Sequence, residues 1–155
     1  MKKILLATLI ATAFGASTSA IAGNSQSMAV SASITGTCKL QSSAPMGFGA
    51  IDPSSTTAAT APASVTYKCT NGTAPTSLVA VGANDTAAGQ KRLLTGTATF
   101  MNYSIAFTAP TTAGNGFGTG STATTVSVTG TVAVADFANA TAGLYADTLT
   151  FTIAP

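Results

Sequence analysis

Residues 27–38 read Ser-Met-Ala-Val-Ser-Ala-Ser-Ile-Thr-Gly-Thr-Cys (SMAVSASITGTC). On an extended chain Met28, Val30, Ala32 and Ile34 point one way, and Ala29, Ser31, Ser33 and Thr35 point the other. Strict alternation of this kind is the pattern of a half-buried β-strand. The stretch stands ahead of everything else that reads as a folded domain, so the question is which sheet it buries itself in.

What precedes it reads as a targeting segment. Lys2 and Lys3 make a basic start, Ile4 to Phe14 is an apolar run of 11 residues, and Ala20-Ile21-Ala22 has the small-x-small form of a cleavage site. The run is far shorter than the roughly 20 residues of a membrane-spanning helix. The expected organisation is a signal peptide over residues 1–22, an N-terminal extension over 23–36 and one folded domain over 37–155. Beyond the signal, Lys39, Lys68, Lys91 and Arg92 balance Asp52, Asp85, Asp136 and Asp147. A neutral surface lacks the basic stripe that a nucleic-acid partner requires and the basic cluster that holds a protein to anionic lipid. Soluble monomers normally lean on charge; a surface of Thr, Ser, Ala and Gly suits a subunit packed against copies of itself.

The residue inventory also limits the chemistry. The chain has no histidine, which removes Ser–His and Cys–His nucleophiles and His metal ligation. Its four aspartates are scattered over loops and strand ends. No enzymatic activity, metal or cofactor is expected. Gly116-Phe-Gly-Thr-Gly120 lacks the spacing and the βαβ setting of a nucleotide-binding loop; it is expected to be a flexible tip or an inter-subunit contact. Cys38 and Cys69, in an exported chain, are expected to pair as a disulfide. Closing a loop of that length stabilises a fold by about 3–4 kcal/mol in the chain-entropy model.

The rest of the chain is a series of short alternating runs separated by Gly, Asn, Pro and Ser/Thr clusters, the pattern of an all-β sandwich or barrel. Val65, Tyr67 and Cys69 share one face of a strand over 64–69. Leu78-Val-Ala-Val81 reads as a short strand buried on both faces. Met101, Tyr103, Ile105 and Phe107 line one face of 99–108. Val126, Val128, Val132 and Val134 align over 125–135, with Gly130 on the same side marking a bulge or a close backbone approach. Leu149, Phe151 and Ile153 alternate with threonines at the end. Residues 52–62 and 109–122 read as loops, the second one mobile, and Asn71-Gly72 and Asn84-Asp85 as turns.

The last strand ends at Ile153, where a sandwich of this size normally continues with one more strand. The pattern therefore has a surplus strand at its start and a vacancy at its end. An uncovered groove exposing Leu149, Phe151 and Ile153 is an aggregation hazard. The segment carrying Met28, Val30, Ala32 and Ile34 has the period and length to fill it. In its own chain it completes a monomer; in a neighbour's it makes a head-to-tail contact that does not close and so builds a filament.

At this point the chain resembles the spore coat protein U family, which includes major subunits of archaic (Csu-type) chaperone–usher pili. The resemblance rests on Ile34-Thr-Gly-Thr-Cys38, Gly47-Phe48-Gly49, Val65-Thr-Tyr-Lys-Cys69-Thr-Asn-Gly-Thr73, Lys91-Arg92-Leu-Leu94, Asn102-Tyr103, Gly116-Phe-Gly118 and Gly143-Leu-Tyr145-Ala-Asp147-Thr148, in that order. It implies an incomplete immunoglobulin-like β-sandwich lacking its last strand, with residues 23–36 as a donor-strand extension and Tyr145, Leu149, Phe151 and Ile153 in the acceptor groove. It implies as partners identical or related pilin subunits, a periplasmic chaperone and an outer-membrane usher, with no nucleic acid and no cofactor. It implies export through the periplasm to the cell surface, and a role in adhesion and biofilm formation. Gly143, Tyr145 and Asp147 read as structural: a turn, a tyrosine tying a sandwich corner through its hydroxyl, and a carboxylate bonded to nearby backbone. The rival from another class is a monomeric secreted carbohydrate-binding module whose own leader completes the sandwich.

Overall fold

The computed structural model describes residues 23–155; the expected signal peptide lies outside the described residues. The chain divides into two units between Ser33 and Ile34. In the first, residues 23–33 take no helix or strand, and Met28 and Val30 are 86% and 88% exposed. The alternating leader is therefore not a strand of the lone chain.

The second unit carries β1 (Cys38–Ala44), β2 (Ala59–Cys69), β3 (Ser77–Gly82), β4 (Lys91–Thr95), β5 (Thr99–Phe107), β6 (Thr124–Val132), a single helical turn α1 (Val134–Phe137) and β7 (Leu149–Ala154). They form an antiparallel five-stranded sheet in the order β1-β2-β6-β5-β4 and an antiparallel pair β3-β7. The fold is all-β. Read against the constant-type immunoglobulin sandwich, β1-β2-β6-β5 follow the order A-B-E-D and β3-β7 the order C-F. The architecture is consistent with an immunoglobulin-like sandwich.

The spine is the β2–β6 ladder, from Ala59↔Val132 to Tyr67↔Thr124. Period-2 burial follows directly: Ala61, Val65, Tyr67 and Cys69 of β2, Val126, Val128 and Val132 of β6, and Met101 and Tyr103 of β5 are all buried. Gly130 faces the same way, and it is a close approach rather than a bulge, because the ladder passes it in regular register opposite Ala61. A side chain there would run into the Met46 sulfur and the Phe48 ring. The coil after β1 lays those two residues over β6. The expected disulfide is present: Cys38 and Cys69 are direct partners in the β1–β2 ladder, with Cα atoms 4.1 Å apart.

Four expectations need correction. β2 begins at Ala59, inside the span read as a loop. Pro62 lies where β2 is bonded by β6 but not by β1, a one-sided position that tolerates a residue without an N–H. β3 is buried on one face only, since Val79 and Val81 are 51% and 55% exposed; a short apolar run carries no information on how many of its faces are covered. Val134 belongs to α1, not to β6. The chain turns there because Phe137 enters the core and Asp136 Oδ1 accepts from Asn102 Nδ2 at 3.0 Å. Finally, the Gly/Thr-rich loop before β6 is tied down. The Tyr67 hydroxyl donates to Thr112 O (3.0 Å), Gly116 N to Cys69 O (3.0 Å), Gly114 N to Thr73 O (2.9 Å), and Lys68 Nζ to Ser121 O (2.9 Å).

Candidate functional site

β7 is bonded on one edge only among the described residues, by β3 through Leu78↔Ile153, Ala80↔Phe151 and Gly82↔Leu149. Its Leu149, Phe151 and Ile153 face inward, yet each is only half-buried. Phe151 meets Phe107 edge-on at 6.3 Å. Phe151 and Ile153 pack on a core centred on Val65, Tyr67 and Val128; Leu149 packs on a second core centred on Met101, Tyr103 and Val132. One strand thus spans both cores and leaves both partly uncovered.

Beside β7 lies a cleft of about 300 Å³, walled by the end of β1 (Ser43, Ala44), by Pro45, Met46 and Phe48, and by Leu149 and Phe151. A larger cleft of about 770 Å³ adjoins it, lined by Ile51, Met101, Phe137, Leu144 and Tyr145 among others. The two have Met46, Phe48, Leu93 and Asp147 as common walls, so they are neighbours on the surface. Of the sequence-predicted groove residues, Leu149 and Phe151 line the smaller cleft and Tyr145 the larger. Ile153 lines neither and packs beside Leu78. Tyr145 lies outside β7 and ties its own corner as expected, its hydroxyl donating to Thr141 O at 2.9 Å. The stretch before Leu149 is not continuous strand; it touches β4 through a single bridge, Leu94↔Ala146.

Met46, Phe48 and Leu93 were not among the expected groove residues. Pro45-Met-Gly-Phe-Gly49 carries two apolar residues two apart, but among glycines and without strand length. Asp147, read as a carboxylate on nearby backbone, does take a backbone amide, but one distant in sequence, and two side chains with it. Its Oδ1 accepts from Asn84 N (3.1 Å) and Asn84 Nδ2 (2.9 Å), and its Oδ2 from the Tyr103 hydroxyl (2.7 Å). Burial first, and then the Asp147 carboxylate, push the Tyr103 phenol far above its ordinary value, so it stays a hydrogen-bond donor. Among the described residues no three His, Cys, Asp or Glu side chains gather as metal ligands do.

Close by, Asp85 pairs with Lys91 (2.6 Å) and accepts from Gly82 N (2.8 Å), while its Oδ1 has no partner among the described residues. Burial pushes the Asp85 carboxyl up, but the Lys91 bond, the Gly82 amide and the charges of Lys91 and Arg92 outweigh it and hold the carboxyl below its ordinary 3.8. A carboxyl lowered in the folded state adds stability that is complete above the unfolded-chain value and is lost as pH falls through the folded one. Thermal stability should therefore fall on acidification below about pH 4, and Asp85→Asn should flatten that fall. Asp52, lowered by the Ser54 hydroxyl and amide, keeps its share of the slope in the variant. Equal slopes in the two proteins would remove Asp85 from the account.

Compared with known families, residues 24–152 match the family model described as the Spore Coat Protein U domain. No curated protein matches the chain.

Proposed function

The chain belongs to the Spore Coat Protein U domain family, and from that premise we propose that it is a structural subunit of a bacterial surface pilus. Subunits join by donor-strand exchange: the leader of one copy lies along β7 of the next, supplying the sheet with its missing last strand. The residues entering the groove are Met28, Val30, Ala32 and Ile34, and they meet Leu149, Phe151 and Ile153, with Tyr145 in the adjoining cleft. A periplasmic chaperone occupies the groove before assembly, and an outer-membrane usher exchanges it for the leader. The fibre serves attachment and biofilm growth. The role is structural rather than enzymatic.

The observation that carries this reading is the half-buried apolar face of β7, whose second edge is unbonded among the described residues, beside a cleft open to solvent. An alternating leader with exposed apolar residues in the same chain is its natural complement. Burying Met28, Val30 and Ile34 contributes about 1.5–3 kcal/mol each, as an upper bound. Each edge hydrogen bond adds about 0.5–1.5 kcal/mol net. A docked strand also has to peel from a core before it can leave, so dissociation is slow.

The test is electrophoretic. Purified material is expected to run as a ladder of multimers in detergent and to collapse to one band only after heating. Chaperone-free protein that elutes as a monomer and melts cooperatively would replace this reading with the self-completed binding module.

A further inference from the structure

Resting on donor-strand assembly, we infer that successive subunits share a second contact: Phe117 of the donating copy seats in the larger cleft of the copy that accepts its leader. The inference begins with a short tether. Thr37 N donates to Thr70 Oγ1 (3.1 Å), Thr70 N donates to Thr37 O (2.9 Å), and the next residue, Cys38, is bonded to Cys69. The leader is therefore fixed to its own domain from Thr37 onward. From Ile34, the last apolar residue of the alternating set, to Thr37 is three residue steps, a span of about 10 Å at full extension.

Strand direction then decides which end of β7 the tether reaches. Antiparallel pairing with β7 is the more stable choice and completes the C-F-G order of the sandwich. It sets Ile34 beside Leu149 and Met28 toward Ala154. At the Leu149 end stand the walls common to both clefts, Met46, Phe48, Leu93 and Asp147, and residues 140–147, just before Leu149 in the chain, line the larger one. Within about 10 Å of that end must stand the pole of the donating copy that holds Thr37.

The two poles are complementary. The donating pole carries the loop tied to Cys69 O through Gly116 N. On that loop Phe117 is 45% exposed, with Lys39 Nζ 6.0 Å from its ring centre. The accepting pole carries Leu144, 87% exposed, at the rim of a cleft of about 770 Å³ walled by Ile51, Pro53, Met101 and Phe137. Lys39 and Lys68 stand near the first; Asp52 and Asp136 flank wall residues of the second. Because the loop is already hydrogen-bonded in place, seating the ring orders little further chain, and the two contacts together fix the angle between subunits.

The experiment pairs Phe117→Cys with Leu144→Cys in assembled polymer, treated with a short bismaleimide; the native cysteines stay oxidised and unreactive. The expected result is a change from heat-labile to heat-resistant multimers. Polymer carrying Phe117→Cys with Val79→Cys, on the outer face of β3, should stay heat-labile. If the Phe117/Leu144 polymer forms a heat-labile ladder and does not cross-link, this contact is wrong while donor-strand assembly stands. If the unmodified protein forms no ladder, assembly itself is wrong, and this contact goes with it.

Discussion

A chain lacking residues 24–35 will elute as a monomer and give no ladder, heated or not, while melting as one folded species. The two halves of that outcome come from different parts of the molecule. The deletion removes every apolar residue assigned to the neighbour's groove. It stops short of Thr37 and Cys38, whose bonds to Thr70 and Cys69 hold β1 in place. The residues lost take no helix or strand, and Met28 and Val30 are exposed, so the folded unit loses little. Ala32→Asp should reach the same end by another route. The chain keeps its length, but docking would bury an unpaired carboxylate, a penalty of several kcal/mol. A synthetic peptide of residues 24–35 gives the converse. Added in excess to the truncated chain, it should raise the melting temperature, because a ligand that binds the folded state alone stabilises it by mass action. Multimers that persist after the deletion, measured by chromatography and unheated electrophoresis, would sink donor-strand assembly. If the truncated chain unfolds on its own, the peptide in excess should restore a cooperative melt.

How much of this was legible depended on which residues had a face to hide. Met101, Tyr103, Ile105 and Phe107 alternate because β5 covers a core on one side, and the strand came out where the alternation lay. The same holds for Val126 to Val132 and for Leu149 to Ile153. β1 is the opposite case: most of Cys38–Ala44 is exposed, and a strand that buries almost nothing imposes no alternation on its sequence. β4 escaped for a related reason, since all five of its residues are half-buried and neither face stands out. The groove was half legible. Its β7 wall repeats with period 2, whereas Met46, Phe48 and Leu93 come together only through tertiary folding. What made room for two of them was Gly130, whose missing side chain was visible in the sequence but whose neighbours were not. The loop before β6 was misread because Gly and Thr content signals an absence of regular structure, not an absence of bonds. It is Cys69, Thr73 and Lys68 that hold it.

Replacing both cysteines, Cys38→Ala with Cys69→Ala, is expected to cost the truncated monomer about 3–4 kcal/mol, from the 31-residue separation that the bridge closes. Domains of this size hold only about 5–15 kcal/mol in total, so a large share of the stability goes with it, and the melting temperature should drop by about 10–20 °C. Local packing argues that the bridge is an integral part of the fold. Cys69 is fully buried, and the Gly114 backbone lies so close to it that a side chain at 114 would strike the Cys69 carbonyl. Thr37, Thr70, Gly114 and Gly116 all bond around the same point. Reducing the bond would loosen the end of β2 and the root of the leader together. The measurement is a thermal melt of the double variant against the oxidised parent, and a drop of only a degree or two would refute the entropic account. In the full-length chain the same substitutions should lower the yield of polymer through loss of folded subunit, with Met28 to Ile34 unchanged. The leader deletion leaves a folded subunit that cannot join, whereas the cysteine variant leaves an intact leader on a subunit that unfolds more readily. The pair of variants thereby separates the stability of the fold from the contact that polymerises it.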